Sequence, residues 1–292
     1  MLDHRPARAL PSTHFHWRRR GRAQGSCGLV LPMAYLRVAG HRLEYKWLRP
    51  SGQRVPAQGS TLVFLHEGLG SVALWKDFPE RVVQATGCPA LVYSRYGHGK
   101  SDRSNEPRTV DYMHREALET LPGVLDALSV SDPILVGHSD GASISIIFAG
   151  SNAVKGLVLM APHVFVEDIT VASIAQARTS FEATDLGAKL ARYHDDATTT
   201  FHGWNDIWLQ PDFRSWNIEP MLPSITAPVL LIQGEDDQYG SAAQVEAVAR
   251  RVSGSAQILM LPRCGHSPHV DQPAATLGVI AKFVEKVKDQ RE

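Results

Sequence analysis

Five residues, Gly137-His138-Ser139-Asp140-Gly141, constrain the fold of this chain more than any other stretch. They follow the apolar run Pro133-Ile134-Leu135-Val136 and precede Ala142-Ser143-Ile144-Ser145-Ile146-Ile147-Phe148-Ala149. The first run reads as a strand buried on both faces and the second as an apolar helix. A strand can turn into a helix over so few residues only if the turn is very tight. Its central residue is pushed into a strained conformation, and flanking glycines without a Cβ let strand and helix close around it. This arrangement is a nucleophile elbow. It holds the serine oxygen clear of the backbone at the positive end of a helix dipole, where an anion is stabilised. Glycine and serine are common, so the pentapeptide gains its weight from the strand and helix beside it. The reading stands only if the chain also supplies a base, an acid and an oxyanion hole.

The length of 292 residues and the hydrophobic content of 43% suit one large α/β domain or two small ones. A formal net charge of +0 argues against a nucleic-acid partner. No run approaches the roughly 20 apolar residues of a membrane span. Cys27, Cys88 and Cys264 are odd in number and far apart. They form neither a disulfide framework nor a metal-ligand spacing, as expected in a reducing cytoplasm. Residues 1–32 differ from the rest, with six arginines, one acid (Asp3) and poor periodicity. They read as a basic, disordered extension, or as the product of a start codon upstream of a true start at Met33. A transit sequence is the competing reading, weakened by sparse serine, and Gly28-Leu29-Val30-Leu31-Pro32 is too short for a secretory core.

From residue 33 onward strand and helix signals alternate. Ala34 to Val38 and His41 to Leu48 read as a hairpin turning at Ala39-Gly40. Thr61–Leu65, Ala90–Ser94, Pro133–Val136, Gly156–Ala161, Pro228–Ile232 and Ala256–Leu261 read as strands. Helices are expected over Lys76–Ala85, Asp111–Leu128 (with Pro122 as a kink), Ser241–Val252 and Pro273–Val287. The pattern predicts a mostly parallel, doubly wound sheet with an antiparallel edge. The alternation lapses from about 162 to 223, after the sixth strand. There, helical patterns at Val166–Ala183 and Leu186–His194 precede an aromatic-rich end with Phe201, Trp204, Trp208, Phe213 and Trp216. Sixty residues are too many for an ordinary loop. The segment reads as a helical lid over the strand C-termini, where open parallel sheets bind ligands. Taken singly, each aromatic residue is expected to pack the lid's own small core.

A serine hydroxyl needs a base, and histidine has the right pKa near neutrality. Among thirteen histidines, His266 stands on a glycine-containing loop between the last strand and the last helix. His269, the competitor, lies nearer that helix and lacks the preceding glycine. The base needs an orienting carboxylate, and the loop Gly234-Glu235-Asp236-Asp237-Gln238-Tyr239-Gly240 offers three acids. Spacing alone does not separate Asp236 from Asp237. An oxyanion hole needs two converging N–H groups. One is expected from Asp140, just after the serine. The other is expected from the loop His66-Glu67-Gly68-Leu69-Gly70-Ser71, whose glycines allow close backbone approach.

The order Ser139, then an acid on the 236/237 loop, then His266 resembles that of the α/β-hydrolases, and the resemblance runs from about Met33 onward. It is to the lidded branch that holds carboxylesterases, enol-lactonases and carbon–carbon bond hydrolases. In that family the acid sits fourth in G-x-x-D, which implies Asp237. The H-G-x loop of the family aligns with His66-Glu67-Gly68, which implies the Gly68 N–H as second donor. Ser94-Arg95-Tyr96-Gly97-His98-Gly99-Lys100-Ser101 resembles its D-x-R-G-x-G-x-S turn. Three residues depart from the pattern: Glu67, Asp140 and Tyr96. Two acids near the hole oppose an oxyanion unless they are protonated, paired with Arg95 or another base, or turned away.

The resulting expectation is a serine hydrolase acting through an acyl-enzyme on a small carboxylic ester or lactone. Ser139, Asp237 and His266 form the triad, the N–H groups of Gly68 and Asp140 form the hole, and Glu67 and Arg95 are candidates for substrate binding. This chemistry implies no metal or organic cofactor, and a small-molecule substrate is the only partner it requires. The alternatives are hydrolysis of a carbon–carbon bond in a ring-fission diketo acid, which wants a cation for the substrate carboxylate, and a catalytically silent binding protein of the same fold. An aspartate-nucleophile enzyme is excluded, because the apex is Ser139 and Asp140 comes one residue too late.

Overall fold

A computed structural model describes residues 33–50 and 59–288. The N-terminal extension, Cys27 included, lies outside these residues. The described chain forms a sheet of eight strands in the order β1-β2-β4-β3-β5-β6-β7-β8. The hairpin of β1 (Ala34–Val38) and β2 (His41–Leu48) turns at Ala39 and Gly40, both at positive φ (50° and 83°). Such turns match the twist of their strands. β2 pairs antiparallel with β4 (Ala90–Tyr93). From there β3 (Thr61–Leu65), β5 (Pro133–His138), β6 (Gly156–Met160), β7 (Val229–Gly234) and β8 (Ala256–Leu261) add in parallel. β3, β4, β5, β6 and β7 are buried at every position, which explains their unbroken apolar runs.

Helices cover both faces. α1 (Phe78–Thr86) and the last helix, α10 (Pro273–Lys288), which follows the short α9 (Pro268–Asp271), pack one core, with Phe78, Val82, Ile280 and Phe283 against Leu62, Phe64 and Val136. The opposite core takes α2 (Tyr112–Arg115), α3 (Leu121–Ala127), α4 (Asp140–Ala149) and α8 (Ala242–Arg251). The single helix expected over 111–128 is interrupted by a π turn at Glu116–Thr120. There the Leu121 N–H bonds Glu116 O. Pro122 follows at once and has no N–H to continue the ordinary register, so the kink takes the form of a widened turn.

Between β6 and β7 lie α5 (Asp168–Ala183), α6 (Leu186–Leu190), α7 (Ala197–Leu209) and two 3-10 turns, Pro211–Ser215 and Glu219–Ser224. β3 adds β4 on one side and β5 on the other. The strand order therefore reverses beside the C-terminal ends of β3 and β5, the place where open sheets form their crevice. Leu65 ends β3 and His138 ends β5, so the loop at His66 and the turn at Ser139 both open there.

Candidate active site

Ser139 stands at the apex between β5 and α4 with φ 53° and ψ −118°, a conformation that L-residues rarely adopt. Its N–H bonds Met160 O at 2.9 Å on the neighbouring strand, and its carbonyl accepts the N–H groups of Ala142 (2.8 Å) and Ser143 (3.0 Å). These bonds hold the strained residue in place. A Cβ on Gly137 would overlap Gly141 O, and one on Gly141 would overlap Leu65 O. The glycines are thus needed for the packing of α4 against the ends of both strands.

His266 donates from Nδ1 to Asp237, 3.0 Å from Oδ1 and 2.9 Å from Oδ2. With Nδ1 donating, Nε2 is the unprotonated nitrogen. Asp237 is buried, whereas Glu235 and Asp236 beside it are exposed. Its Oδ1 also accepts the Tyr239 N–H (2.8 Å) and its Oδ2 accepts Gln233 Nε2 (2.8 Å). Burial works against the ionised carboxylate, but the charge and hydrogen bond of His266 and the Tyr239 N–H outweigh it. Asp237 is held below the usual range. For His266 burial favours the neutral ring, yet Asp237 overrides it and raises the pKa. His269 points elsewhere. Its ring packs on Trp75 (5.0 Å) and Phe78 (5.2 Å), and burial lowers its pKa to about 3.

The structure answers what the two unusual acids do. Asp140 is fully buried and faces Arg95, with Nη1 3.7 Å from Oδ2, and the same oxygen accepts the Tyr112 hydroxyl at 2.8 Å. Glu67 Oε2 lies 3.6 Å from His138 Nδ1. Burial would raise the Glu67 pKa, but the neighbouring His138 outweighs it and the carboxyl is held at about 2. His138 Nε2 donates to His266 O at 2.7 Å. The residue before Ser139 therefore ties the backbone of His266 to the elbow. No local sequence signal marks His138 or Tyr112 for these roles, because each meets partners far away in the chain.

The loop from His66 to Gly70 is pinned from several sides. Arg95 Nη2 donates to Glu67 O (2.8 Å) and His66 O (3.2 Å), and the Arg95 N–H donates to His66 Nε2 (3.1 Å). His194, between α6 and α7, donates from Nε2 to Leu69 O (2.9 Å) and accepts the Gly99 N–H (2.9 Å). Arg95, 3% exposed, is thus committed to the backbone of this loop and to Asp140.

α7 packs across the same region. A Cβ on Gly68 would overlap the Trp204 indole. Trp208 lies 5.1 Å from the His163 ring and donates from Nε1 to Tyr112 Oη (3.1 Å). Tyr239 lies between Trp204 (6.4 Å) and His266 (4.8 Å). Phe201 stacks on Phe181 (3.9 Å) and Phe213 on Trp216 (5.5 Å), so these four pack the insertion itself. Trp204 and Trp208 instead reach Gly68 and Tyr112. No group of three or more histidine, cysteine or acidic side chains able to hold a metal occurs among the described residues. No helix among them is long and apolar enough to cross a membrane.

A model of the Alpha/beta hydrolase family matches residues 62–279. The chain is 24% identical over 252 residues to the sn-1-specific diacylglycerol lipase ABHD11 of Mus musculus, covering 76% of this chain and 80% of the relative. It is 24% identical over 259 residues to the 2-(acetamidomethylene)succinate hydrolase of Mesorhizobium japonicum, covering 80% and 90%. In fold it is similar to the crystal structure of proline iminopeptidase from Mycobacterium smegmatis, with a TM-score of 0.70 and 17% identity over 88% of this chain and 99% of the other.

Proposed function

The chain belongs to the alpha/beta hydrolase family, and from that premise we propose that it is a serine hydrolase acting on a small carboxylic ester or lactone. Ser139 is the nucleophile, His266 the general base and Asp237 the residue that orients it. His266 Nε2 takes the hydroxyl proton as Ser139 Oγ attacks the carbonyl carbon. The N–H groups of Gly68 and Asp140 hold the oxyanion. His266 then gives its proton to the leaving alcohol, and water attacks the acyl-enzyme by the same route in reverse. Losing one donor of such a hole typically costs about 3 kcal/mol of transition-state stabilisation.

One observation carries this reading. Buried Asp237 fixes the His266 tautomer through two contacts of 2.9 and 3.0 Å, and His266 is tied to the strained turn that presents Ser139. The pairing of Asp140 with Arg95 and Tyr112 supports it by offsetting one opposing charge beside the hole, and Glu67 turns its carboxylate toward His138. α7 acts as the lid, with Trp204 lying on Gly68 until substrate displaces it. Arg95 is spent on the hole loop, which makes it a positioning residue and not a substrate cation.

A fluorophosphonate probe tests the proposal. The native chain is expected to be labelled and to hydrolyse short 4-nitrophenyl esters, and Ser139→Ala is expected to lose both. Labelling that survives the substitution rejects Ser139 as nucleophile. A native chain that is never labelled yet binds ligands points instead to a silent binding protein.

A further inference from the structure

Resting on Ser139 as nucleophile, we infer that Arg108 is a substrate-binding residue that takes a carboxylate carried by the acyl part of the substrate. Arg108 stands on the loop that leads into α2, and its side chain folds in beneath α7. Its Nε lies 3.5 Å from where Gly203 would carry a Cβ, and the next residue, Trp204, covers Gly68. Nη2 donates to His98 Nε2 at 3.0 Å, and that nitrogen is 3.1 Å from Gly68 O. The guanidinium carbon lies 5.0 Å from the centre of the Tyr112 ring, whose hydroxyl donates to Asp140. Arg108 is thus linked, through His98 and through Tyr112, to both residues whose N–H groups are assigned to the hole.

Among the described residues no carboxylate lies within ion-pair distance of Arg108, and its Nη1 is buried without a hydrogen-bond partner. Arg95 Nε, also buried, is unpartnered as well. Asp140 already faces Arg95 and Tyr112. Glu116, the other carboxyl that influences Arg108, accepts the Tyr93 hydroxyl at 2.8 Å, and burial pushes its pKa up. A guanidinium with a buried, unpartnered Nη1 and no carboxylate within ion-pair distance is costly to bury unless an anion meets it. Guanidinium is well matched to a carboxylate through its planar N–H groups. Asp140 already engages Arg95 and Tyr112, which leaves Arg108 as the guanidinium that can meet a substrate carboxylate. A carbonyl held by the Gly68 and Asp140 N–H groups is then a short chain away. The substrate class is the half-ester of a short dicarboxylic acid, or a lactone bearing a carboxylate.

The test compares mono-4-nitrophenyl glutarate with 4-nitrophenyl pentanoate, which has the same number of acyl carbons. The native chain is expected to favour the glutarate ester in kcat/KM on the order of tenfold or more, the scale of a charged hydrogen bond. Arg108→Gln should abolish that preference mainly through KM while leaving the pentanoate rate within about threefold, and Arg108→Lys should restore part of it. Equal losses on both esters, or a native preference for pentanoate, overturns the assignment. If Arg108→Gln does not fold, the native chain decides: glutarate should slow fluorophosphonate labelling of Ser139 and glutaramide should not. Labelling and pentanoate hydrolysis without any response to the carboxylate reject the role of Arg108 alone. Absence of labelling rejects the nucleophile as well.

Discussion

Gly141 and Gly278 show how differently two glycines are constrained. A methyl group on Gly141 runs into the Leu65 and His66 carbonyls, which are backbone and cannot turn aside. Gly278, in α10, has nothing within 4 Å of the same added atom. Gly141→Ala is therefore expected to lower stability by roughly 1–3 kcal/mol, the usual cost of overpacking. Gly278→Ala should be neutral or add up to about 1 kcal/mol through helix propensity. Urea unfolding of both variants measures the contrast, and equal effects would refute the steric reading of the elbow. The glycines of 137–141 were legible in the sequence because their demand is local. For Asp140 the sequence offered pairing with Arg95 only as one option among several and did not offer Tyr112, since these partners stand 45 and 28 residues away on other elements.

At the scale of elements, α7 is the case where local propensity and structure part. Its residues include Thr198, Thr199, Thr200, Gly203, Asn205 and Asp206, all modest or poor helix formers. No helix was expected there. The helix forms because Phe201, Trp204, Ile207 and Trp208 recur at helical spacing and are all buried. Asp196 starts it, accepting the Thr199 N–H at 3.0 Å and the Thr199 hydroxyl at 2.9 Å. That cap and the aromatic spacing together are the signal that could have found it. Asp196→Ala should cost about 1 kcal/mol of stability, as for other N-caps, and should speed fluorophosphonate labelling by loosening the cover on Gly68. Unchanged unfolding and labelling would argue that α7 does not depend on its cap. Strand positions fared better: all eight expected strands are present, with bounds displaced by up to two residues. Buried parallel strands must be apolar throughout, and that demand is written locally.

Across the whole molecule, histidine burial sets the response to acid. Burial lowers the pKa of His66, His98 and His194, and brings His163 to about 4 and His269 to about 3. Each stays neutral when folded but binds a proton in the unfolded chain below its ordinary value of 6.5. Stability is therefore complete above that value and falls as pH drops toward the folded pKa, by about 1.4 kcal/mol per pH unit for each such histidine. His266 has the opposite sign, because its raised pKa makes its contribution one that is lost as pH rises. His114, half-buried, is lowered by burial as well, and six groups against one make the chain acid-labile well before its carboxylates protonate. Thermal unfolding between pH 7.5 and 5 (a range on the scale of ordinary histidine titration) should show a steep fall in Tm, and a flat profile would contradict the burial of these rings as neutral groups.

The sequence by itself determined the doubly wound sheet and the turn at Ser139, and it left Asp236 and Asp237 open as the acid beside His266. Backbone sterics and two-sided burial act over a few residues and leave patterns that can be read along the chain. Only the tertiary structure decided that Asp237 and not Asp236 meets His266, that Glu67 meets His138, that Asp140 meets Arg95 and Tyr112, that Trp204 lies on Gly68, and that Arg108 Nη1 is buried without a partner among the described residues. These are meetings between the ends of different strands and a helix from the insertion. Where they fall follows from the strand order and from how α7 packs, and neither is encoded in the spacing of the residues that meet.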